Sequence, residues 1–281
     1  MALSTRNHDR DIAGMTYVYP VVSRRAQGVS VGVNLNPNNA CNWRCIYCQV
    51  PDLKRGAPPP LDLGQLEDEL RRMLDPIVHG TFLLEQVPEG LRRLNDVALS
   101  GNGEPTTATE FPRVVDLIGR VLKDFGLLGV IRLVLITNGS QAGKARVQDG
   151  IRAMASLNGE VWFKFDRATR AGLHRVNDTE TDPERHFAHL KTVADLCPSW
   201  IQTCLFEVDG QAPEAAEMEA YLDMLARARR EIPALRGVLL YGLARPSLQP
   251  EAPRLSALPA HWLAALGQRI AALGLAVKVS P

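Results

Sequence analysis

The amino-acid sequence predicts an α/β fold, a partial (β/α)6 TIM-like barrel, and three observations support this prediction. Short apolar runs alternate with amphipathic stretches along the 281 residues. Six or seven such repeats indicate a parallel sheet, because right-handed crossovers return each helix over the sheet. The count falls short of eight, which favours an open partial barrel over a closed one, with a doubly wound sheet as the alternative.

The predicted strands are short runs rich in Val, Ile, Leu and aromatic residues, and most are too short for a buried helix. In chain order they are Val29–Leu35, Asp96–Ser100, Ile131–Thr137, Glu160–Phe165, Trp200–Phe206 and Val238–Tyr241, with Leu275–Val279 as a candidate seventh. In either architecture ligands bind at the carboxyl ends of the strands, so the chemistry is expected there.

The predicted helices carry recognisable signals at their ends. Asp62 and Gln65 form a candidate capping box at the start of the first helix, and Pro76 is expected to end it. The other helices are predicted after Pro112 up to Gly126, from the N-cap Asp182, over Glu214–Arg230 and over Pro259–Leu273.

Composition and charge narrow the class of protein. The formal net charge is +1, from 32 basic and 31 acidic residues, which argues against a protein that coats polyanions by bulk charge. The sequence contains no run of 18 apolar residues, so no membrane span is predicted. The N-terminus is polar and lacks the apolar stretch of a secretory signal peptide. We expect a cytoplasmic protein whose residues 1–281 form one core domain, with residues 1–28 as an N-terminal extension.

The most informative feature is a group of three cysteines, Cys41, Cys45 and Cys48, directly after the first predicted strand. Three thiolates on such a loop can each hold one iron of a cubane cluster, which leaves the fourth iron open to a substrate or cofactor. A structural zinc site is the alternative, and it requires a fourth ligand. Cys197 and Cys204 are expected to be ordinary buried residues.

These residues resemble the radical S-adenosylmethionine (SAM) superfamily, whose cysteine loop has the form CxxxCxxC with an aromatic residue, here Tyr47, before the last cysteine. The segment Ser100–Thr106 is similar to the family's GGEP-type loop. Within the superfamily the chain resembles the wyosine-synthase-like group. The segments that carry this second resemblance are Pro20–Arg25, Val161–Asp166 and Leu239–Pro246.

The resemblance implies an enzyme in which Cys41, Cys45 and Cys48 bind a [4Fe–4S] cluster that cleaves SAM reductively to a 5′-deoxyadenosyl radical. It implies a one-electron donor of the flavodoxin or ferredoxin type and a tRNA base or nucleoside as the substrate. The chain has no second cysteine cluster, a departure from true wyosine synthases that keeps a small metabolite as an alternative substrate. A non-enzymatic iron–sulfur or zinc protein is the alternative from a different functional class.

Four residues after the second and third strands are candidate cofactor contacts. Gly101 and Gly103 allow the backbone to approach a ligand closely, although an ordinary tight turn also uses glycine. Glu104 is a candidate acceptor for a ligand ammonium, or else a solvated carboxylate. Asn138 is a candidate ribose contact, or part of an ordinary Asn-Gly turn.

Further candidates lie on the fourth and fifth strands. Lys164 and Asp166 share one face of a strand because strand side chains alternate, and Gln202 and Cys204 share a face by the same rule. If these faces line the barrel, Lys164, Asp166 and Gln202 are cofactor or substrate ligands. A structural Lys–Asp pair is the alternative. The resemblance assigns Tyr47 to the cofactor site, and no catalytic residue is assigned.

A set of scattered basic residues is a candidate for contacts with the phosphates of a nucleotide or RNA substrate. These residues are Arg24, Arg25, Lys54, Arg55 and Arg245.

Overall fold

A computed structural model describes Leu3, residues 13–23 and residues 27–281. Its strands in chain order are β1 (Val18–Ser23), β2 (Gly28–Val33), β3 (Ala40–Cys41), β4 (Lys54–Arg55), β5 (Leu94–Leu99), β6 (Arg132–Thr137), β7 (Gly159–Lys164), β8 (Ser199–Leu205), β9 (Glu207–Val208), β10 (Leu235–Gly242), β11 (Leu255–Ser256) and β12 (Val277–Ser280). Its α-helices are α1 (Leu63–Val78), α2 (Phe82–Gln86), α3 (Phe111–Asp124), α4 (Ala145–Ala155), α5 (Arg170–Asn177), α6 (Pro183–Leu196), α7 (Ala215–Glu231) and α8 (Ala260–Ala272). Short 3₁₀ helices span Glu89–Leu91, Pro105–Thr107 and Ala252–Arg254.

The main sheet is an open, curled half-barrel of eight strands in the order β1-β2-β5-β6-β7-β8-β10-β12. Strand β1 pairs antiparallel with β2, and every other neighbouring pair in this sheet is parallel. The partial barrel is therefore confirmed. All six predicted strands and the candidate seventh are present, with ends shifted by a few residues.

Strand β1 was not predicted, and it lies within the segment assigned to an N-terminal extension. It forms the edge of the sheet, where Pro20 stands opposite Val31. Proline is tolerated at an edge because its missing N–H costs no ladder bond on the open side. The prediction of one domain over residues 1–281 stays a prediction.

Helix α1 begins at the predicted N-cap, where the Asp62 carboxylate accepts a hydrogen bond from the Gln65 N–H at 3.0 Å. The prediction that Pro76 ends this helix is wrong, because α1 continues to Val78. A proline removes only its own N–H and disturbs the turn before it, so later amides can still bond. The His79 N–H accordingly donates to the Asp75 carbonyl.

The helices predicted after Pro112, from Asp182, over Glu214–Arg230 and over Pro259–Leu273 are confirmed as α3, α6, α7 and α8. They cover the outer face of the sheet, where the main apolar core lies. The inner face carries a separate apolar cluster of Ala98, Val134, Trp162, Trp200 and Leu239. In the described part of the chain, no helix combines the length and apolarity needed to cross a bilayer.

Candidate functional site

The cysteine loop, defined here as residues 34–56, follows the carboxyl end of β2. Its strands β3 and β4 pair with each other, and the Gly56 N–H donates to the Cys41 carbonyl at 3.1 Å. The Cys48 N–H donates to the Cys45 carbonyl at 2.9 Å, which closes a turn between these two cysteines. The loop thus has a defined main-chain conformation.

Two distant segments hold the cysteine loop in place by hydrogen bonds to its main chain. At the end of α5, the Val176 carbonyl accepts from the Ile46 N–H at 2.9 Å. After β10, the Leu248 N–H donates to the Cys48 carbonyl at 2.9 Å, and the Ser247 hydroxyl donates to the Ile46 carbonyl at 2.7 Å. The carbonyls of Ile46 and Cys48 are therefore bonded within the protein.

Arg44 adds an ionic clamp between these same segments. Its guanidinium donates to both carboxylate oxygens of Glu251 at 2.9 and 2.8 Å, and to Asp178 at 3.0 Å. Hydrogen bonds from Arg44 lower the pKa of Glu251. The pKa of Asp178 is also lowered, because its bonds to Arg55 and Arg44 outweigh the effect of burial. Arg44 therefore links the loop to α5 and to the segment after β10.

The three cysteines line one cavity of about 310 Å³ at the carboxyl ends of the parallel strands. The cavity is bordered by nine of the eleven residues that the sequence assigned to the metal or cofactor site. These nine are Cys41, Cys45, Tyr47, Cys48, Gly101, Gly103, Glu104, Asn138 and Lys164. The other two, Asp166 and Gln202, are buried next to the cavity residues Tyr47 and Lys164.

The chemistry of the donor set fits an iron–sulfur cluster. All five cysteines are free thiols, and the three in the loop are partly exposed to the cavity. Burial raises the pKa of Cys41 to about 11 and that of Cys45 to about 12. Because a metal binds the thiolate form, binding of a cluster would release these protons. Within the described residues, no three His, Cys, Asp or Glu side chains are gathered as a preformed metal site.

The glycine loop, residues 100–106, packs directly against the start of the cysteine loop. A Cβ on Gly103 would lie 2.1 Å from the Ala40 carbonyl oxygen, and one on Gly101 would lie 2.4 Å from the Asn34 side chain. Gly101 also has a φ of +149°, which L side chains rarely adopt. Both glycines therefore permit a close contact between two loops of the protein.

Glu104 is fully buried and ties the glycine loop to the end of β6. Its carboxylate accepts four hydrogen bonds, from the N–H and hydroxyl of Thr106, the hydroxyl of Thr137 and the N–H of Asn138. Burial raises the pKa of Glu104, and these donors act against that rise. Three of these bonds reach Oε1 and one reaches Oε2, so Oε2 keeps acceptor capacity for a further donor.

Asn138 connects the end of β6 to the cysteine loop. Its side-chain amide donates to the side-chain Oδ1 of Asn42 at 3.0 Å and accepts from the Ser140 N–H at 3.0 Å. Asn42 in turn donates to the Ser140 hydroxyl at 2.7 Å. Asn138 is thus buried in a link between loops at the cavity wall.

Lys164 and Asp166 form a buried network with Tyr47. The Tyr47 hydroxyl donates to Asp166 at 2.6 Å and accepts from the Lys164 ammonium, which lies 3.8 Å from Asp166. Burial alone lowers the pKa of Lys164, but the Asp166 charge outweighs it and the pKa is raised. Burial alone raises the pKa of Asp166, but Lys164 and the hydrogen bonds lower it. The pair is therefore ionised.

The remaining strand residues follow the predicted alternation. Gln202 stands beside Lys164 in the β7–β8 register, and Cys204 lies further along the same face and borders the cavity. The prediction that Cys204 is buried is confirmed, and so is that for Cys197, which lies in the main apolar core.

The basic residues predicted to contact phosphates lie in different surroundings. Arg24 and Arg25 lie outside the described residues. Arg55 forms an ion pair with Asp178 at 2.9 Å and donates to the main-chain carbonyl of Asn42. The partners of its guanidinium are therefore groups of the protein itself. Lys54 is exposed, and Arg245 borders the cavity.

Sequence reasoning missed the asparagines that join the loops. The side-chain Oδ1 of Asn34 accepts from the main-chain N–H groups of Asn36 and Asn102, and the Asn36 side chain donates to the Ala40 carbonyl. Asn177, at the end of α5, donates to the Cys45 sulfur at 3.2 Å. The run Asn34–Asn39 directly before the cysteines was the available signal, because asparagine commonly bonds to loop main chain.

A cavity lined by three cysteines at the carboxyl ends of parallel strands is typical of one class of protein. Comparison with known proteins identifies that class. Residues 35–209, more than half of the chain, match the Radical SAM superfamily. The chain belongs to the radical SAM superfamily, and its neighbours are enzymes of that superfamily.

The fold is similar to that of several solved structures. A radical SAM methyltransferase from Sphaerobacter thermophilus has a TM-score of 0.57 at 15% identity, covering 95% of this chain and 70% of that one. SuiB from Streptococcus suis, bound to precursor peptide SuiA, has 0.57 at 10%, covering 89% and 48%. TYW1, a wyosine synthase with a lysine-pyruvate adduct bound, has 0.54 at 16%, covering 87% and 73%. The TM-scores show that these proteins share the fold of this chain.

One curated relative is similar over part of the chain. The GTPase Obg from Brachyspira hyodysenteriae (strain ATCC 49526 / WA1) is 21% identical over 132 residues, which are 47% of this chain and 17% of the relative. The chain thus spans a small part of that relative and about half of SuiB.

Proposed function

We propose that the protein cleaves SAM reductively with a [4Fe–4S] cluster held by Cys41, Cys45 and Cys48. The observation that carries this proposal is that all three thiols border one cavity at the carboxyl ends of the strands, together with the glycine loop. When bound, the cluster supplies one electron and SAM supplies the 5′-deoxyadenosyl radical, while the protein binds, orients and excludes water.

We assign the cavity residues two roles, positioning of the loops and contact with the cofactor. Gly101 and Gly103 keep the glycine loop against the cysteine loop, and Glu104 fixes the end of β6 with its four hydrogen bonds. We infer that Glu104 positions the glycine loop, because its buried carboxylate joins that loop to the end of β6. Tyr47 and Asn138 border the cavity and are the proposed cofactor contacts.

The charged network at the carboxyl end of β7 places a fixed positive group at the cavity. Lys164 is ionised and borders the cavity, while its partner Asp166 lies behind Tyr47. We propose that Lys164 attracts an anionic group such as the carboxylate of SAM, because a cation in a low-dielectric site interacts strongly with a nearby anion.

Product analysis tests the proposed reaction. Anaerobically reconstituted protein, given SAM and dithionite, should release methionine and 5′-deoxyadenosine slowly without any substrate. Cys45→Ala should lose both the cluster and this activity. Cys197→Ala is the matched control, because Cys197 is buried in the main core away from the cavity, and it should keep both. Normal iron and sulfide in Cys45→Ala would contradict the assignment.

The proposed substrate is a tRNA base or nucleoside. Support comes from the fold shared with TYW1 and from Arg245 at the cavity. A small metabolite is the second candidate, favoured by the use of Arg55 in an ion pair with Asp178. RNA binding through phosphates weakens steeply with salt by counterion release, so tRNA affinity should fall between 50 and 200 mM salt by on the order of tenfold or more. A Lys54→Ala, Arg245→Ala protein should bind tRNA less tightly, and no tRNA binding at low salt would favour the metabolite.

We propose a flavodoxin or ferredoxin as the physiological electron donor, because the reaction needs single electrons at low potential. Replacing dithionite with reduced flavodoxin should support release of 5′-deoxyadenosine. Activity with dithionite but none with reduced flavodoxin or reduced ferredoxin would count against this donor class.

A further inference from the structure

Asn177 is a fully buried asparagine whose side chain reaches a proposed cluster ligand. It is the last residue of α5, and its Nδ2 lies 3.2 Å from the Cys45 sulfur and 2.8 Å from Asp166 Oδ2. Its main-chain carbonyl also accepts from the Arg44 N–H at 3.2 Å. Asn177 therefore contacts the cysteine loop through both main chain and side chain.

The orientation of this amide is fixed by its neighbours. Nδ2 carries two hydrogens, and each has one acceptor, the Cys45 sulfur or the Asp166 carboxylate. A flipped amide would place Oδ1 against those same two acceptors. In the described structure Oδ1 is buried and has no hydrogen-bond partner, an arrangement that requires an explanation. In this orientation both N–H groups of the Asn177 side chain have acceptors, while its Oδ1 is left without a donor.

Asp166 holds the amide rigidly in this position. Its Oδ1 accepts from the Cys204 N–H at 2.8 Å, and its Oδ2 accepts from the Tyr47 hydroxyl at 2.6 Å as well as from Asn177. The carboxylate is thus anchored to β8 and to the cysteine loop at once. The second N–H of Asn177 is therefore directed at sulfur before any metal binds.

We propose that Asn177 is a positioning residue that raises the reduction potential of the cluster bound at Cys45. The inference rests on the proposed function. Reduction adds one negative charge that the cluster sulfurs share, so an N–H donor to a thiolate stabilises the reduced state more than the oxidised state. Hydrogen bonds to sulfur are an established determinant of such potentials.

An EPR-monitored redox titration tests this role. Asn177→Leu keeps the approximate size of the side chain and removes the donor. At a fixed ambient potential, its ratio of reduced to oxidised cluster should be lower than in the parent by on the order of tenfold, equivalent to about 59 mV for one electron. Ser247→Ala is the matched control, because it removes hydrogen bonds to carbonyls of the same loop and none to sulfur. Its potential should be unchanged.

The result that overturns the proposal is an Asn177→Leu protein with full iron and sulfide and the parental potential. If that variant takes up no cluster, the parent labelled with ¹⁵N-asparagine decides the question. Its reduced cluster should show a ¹⁵N hyperfine coupling in electron–nuclear double resonance, and no coupling would refute the proposal. A parent that binds no cluster would instead refute the proposed function, which keeps the two failures distinct.

Discussion

Gly103→Ala is the substitution that tests most sharply how the glycine loop and the cysteine loop are packed. The added Cβ would lie 2.1 Å from the Ala40 carbonyl oxygen and 2.6 Å from the Asn36 side chain. The nearest obstacle is main chain directly before Cys41, so it cannot be relieved by rotating a side chain. Overpacking of this kind costs about 1–3 kcal/mol, and we expect the upper half of that range.

The assay has two parts. Urea unfolding of the metal-free protein, followed by circular dichroism, gives the loss in free energy of unfolding, and iron and sulfide analysis after reconstitution gives the loss of cluster. Gly90→Ala is the matched control, because nothing lies within 4 Å of its Cβ position, and it should change stability by less than about 0.5 kcal/mol. Parental stability and cluster content in Gly103→Ala would refute the close packing of the two loops.

Two further substitutions test the network around the cavity. Tyr47→Phe removes a buried hydroxyl between Lys164 and Asp166, so it should lower the free energy of unfolding by about 1–3 kcal/mol in urea denaturation, and no loss would contradict the network. Arg44→Met should cost up to about 1 kcal/mol at pH 7, because its ion pairs are partly exposed. The folded-state pKa values of its acidic partners are lowered, so this contribution is present above about pH 4 and is lost as the pH falls further. Urea denaturation at pH 7 and pH 3 measures it, and an equal cost at both values would show that the ion pairs contribute nothing.

Much of the fold could be predicted because apolar composition and turn residues determine strands locally. The seven parallel strands follow from runs of branched and aromatic residues. Strand β1 was missed because Pro20 interrupts its pattern, and α5 was missed because eight residues give too short a period. Pro76 was overinterpreted, since a proline near the end of a helix allows two more residues to follow.

The cavity could be predicted in outline because parallel strands bring their carboxyl ends to one edge. That rule placed Cys41, Gly103 and Lys164 together although they are far apart in sequence. The bonds that fix these loops could not be predicted. The partner of Cys45 at Asn177 is separated from it by 132 positions, and single amides produce no periodic signal.

The central claim is that the three cysteines leave one iron open and that SAM binds to it. Electron–nuclear double resonance of the reduced protein with SAM carrying ¹⁵N in its amino group and ¹⁷O in its carboxylate measures this directly. Both labels should couple strongly to the cluster, and these couplings should be absent in Cys48→Ala and present in Cys197→Ala. A reduced cluster that shows neither coupling with saturating SAM would contradict the account.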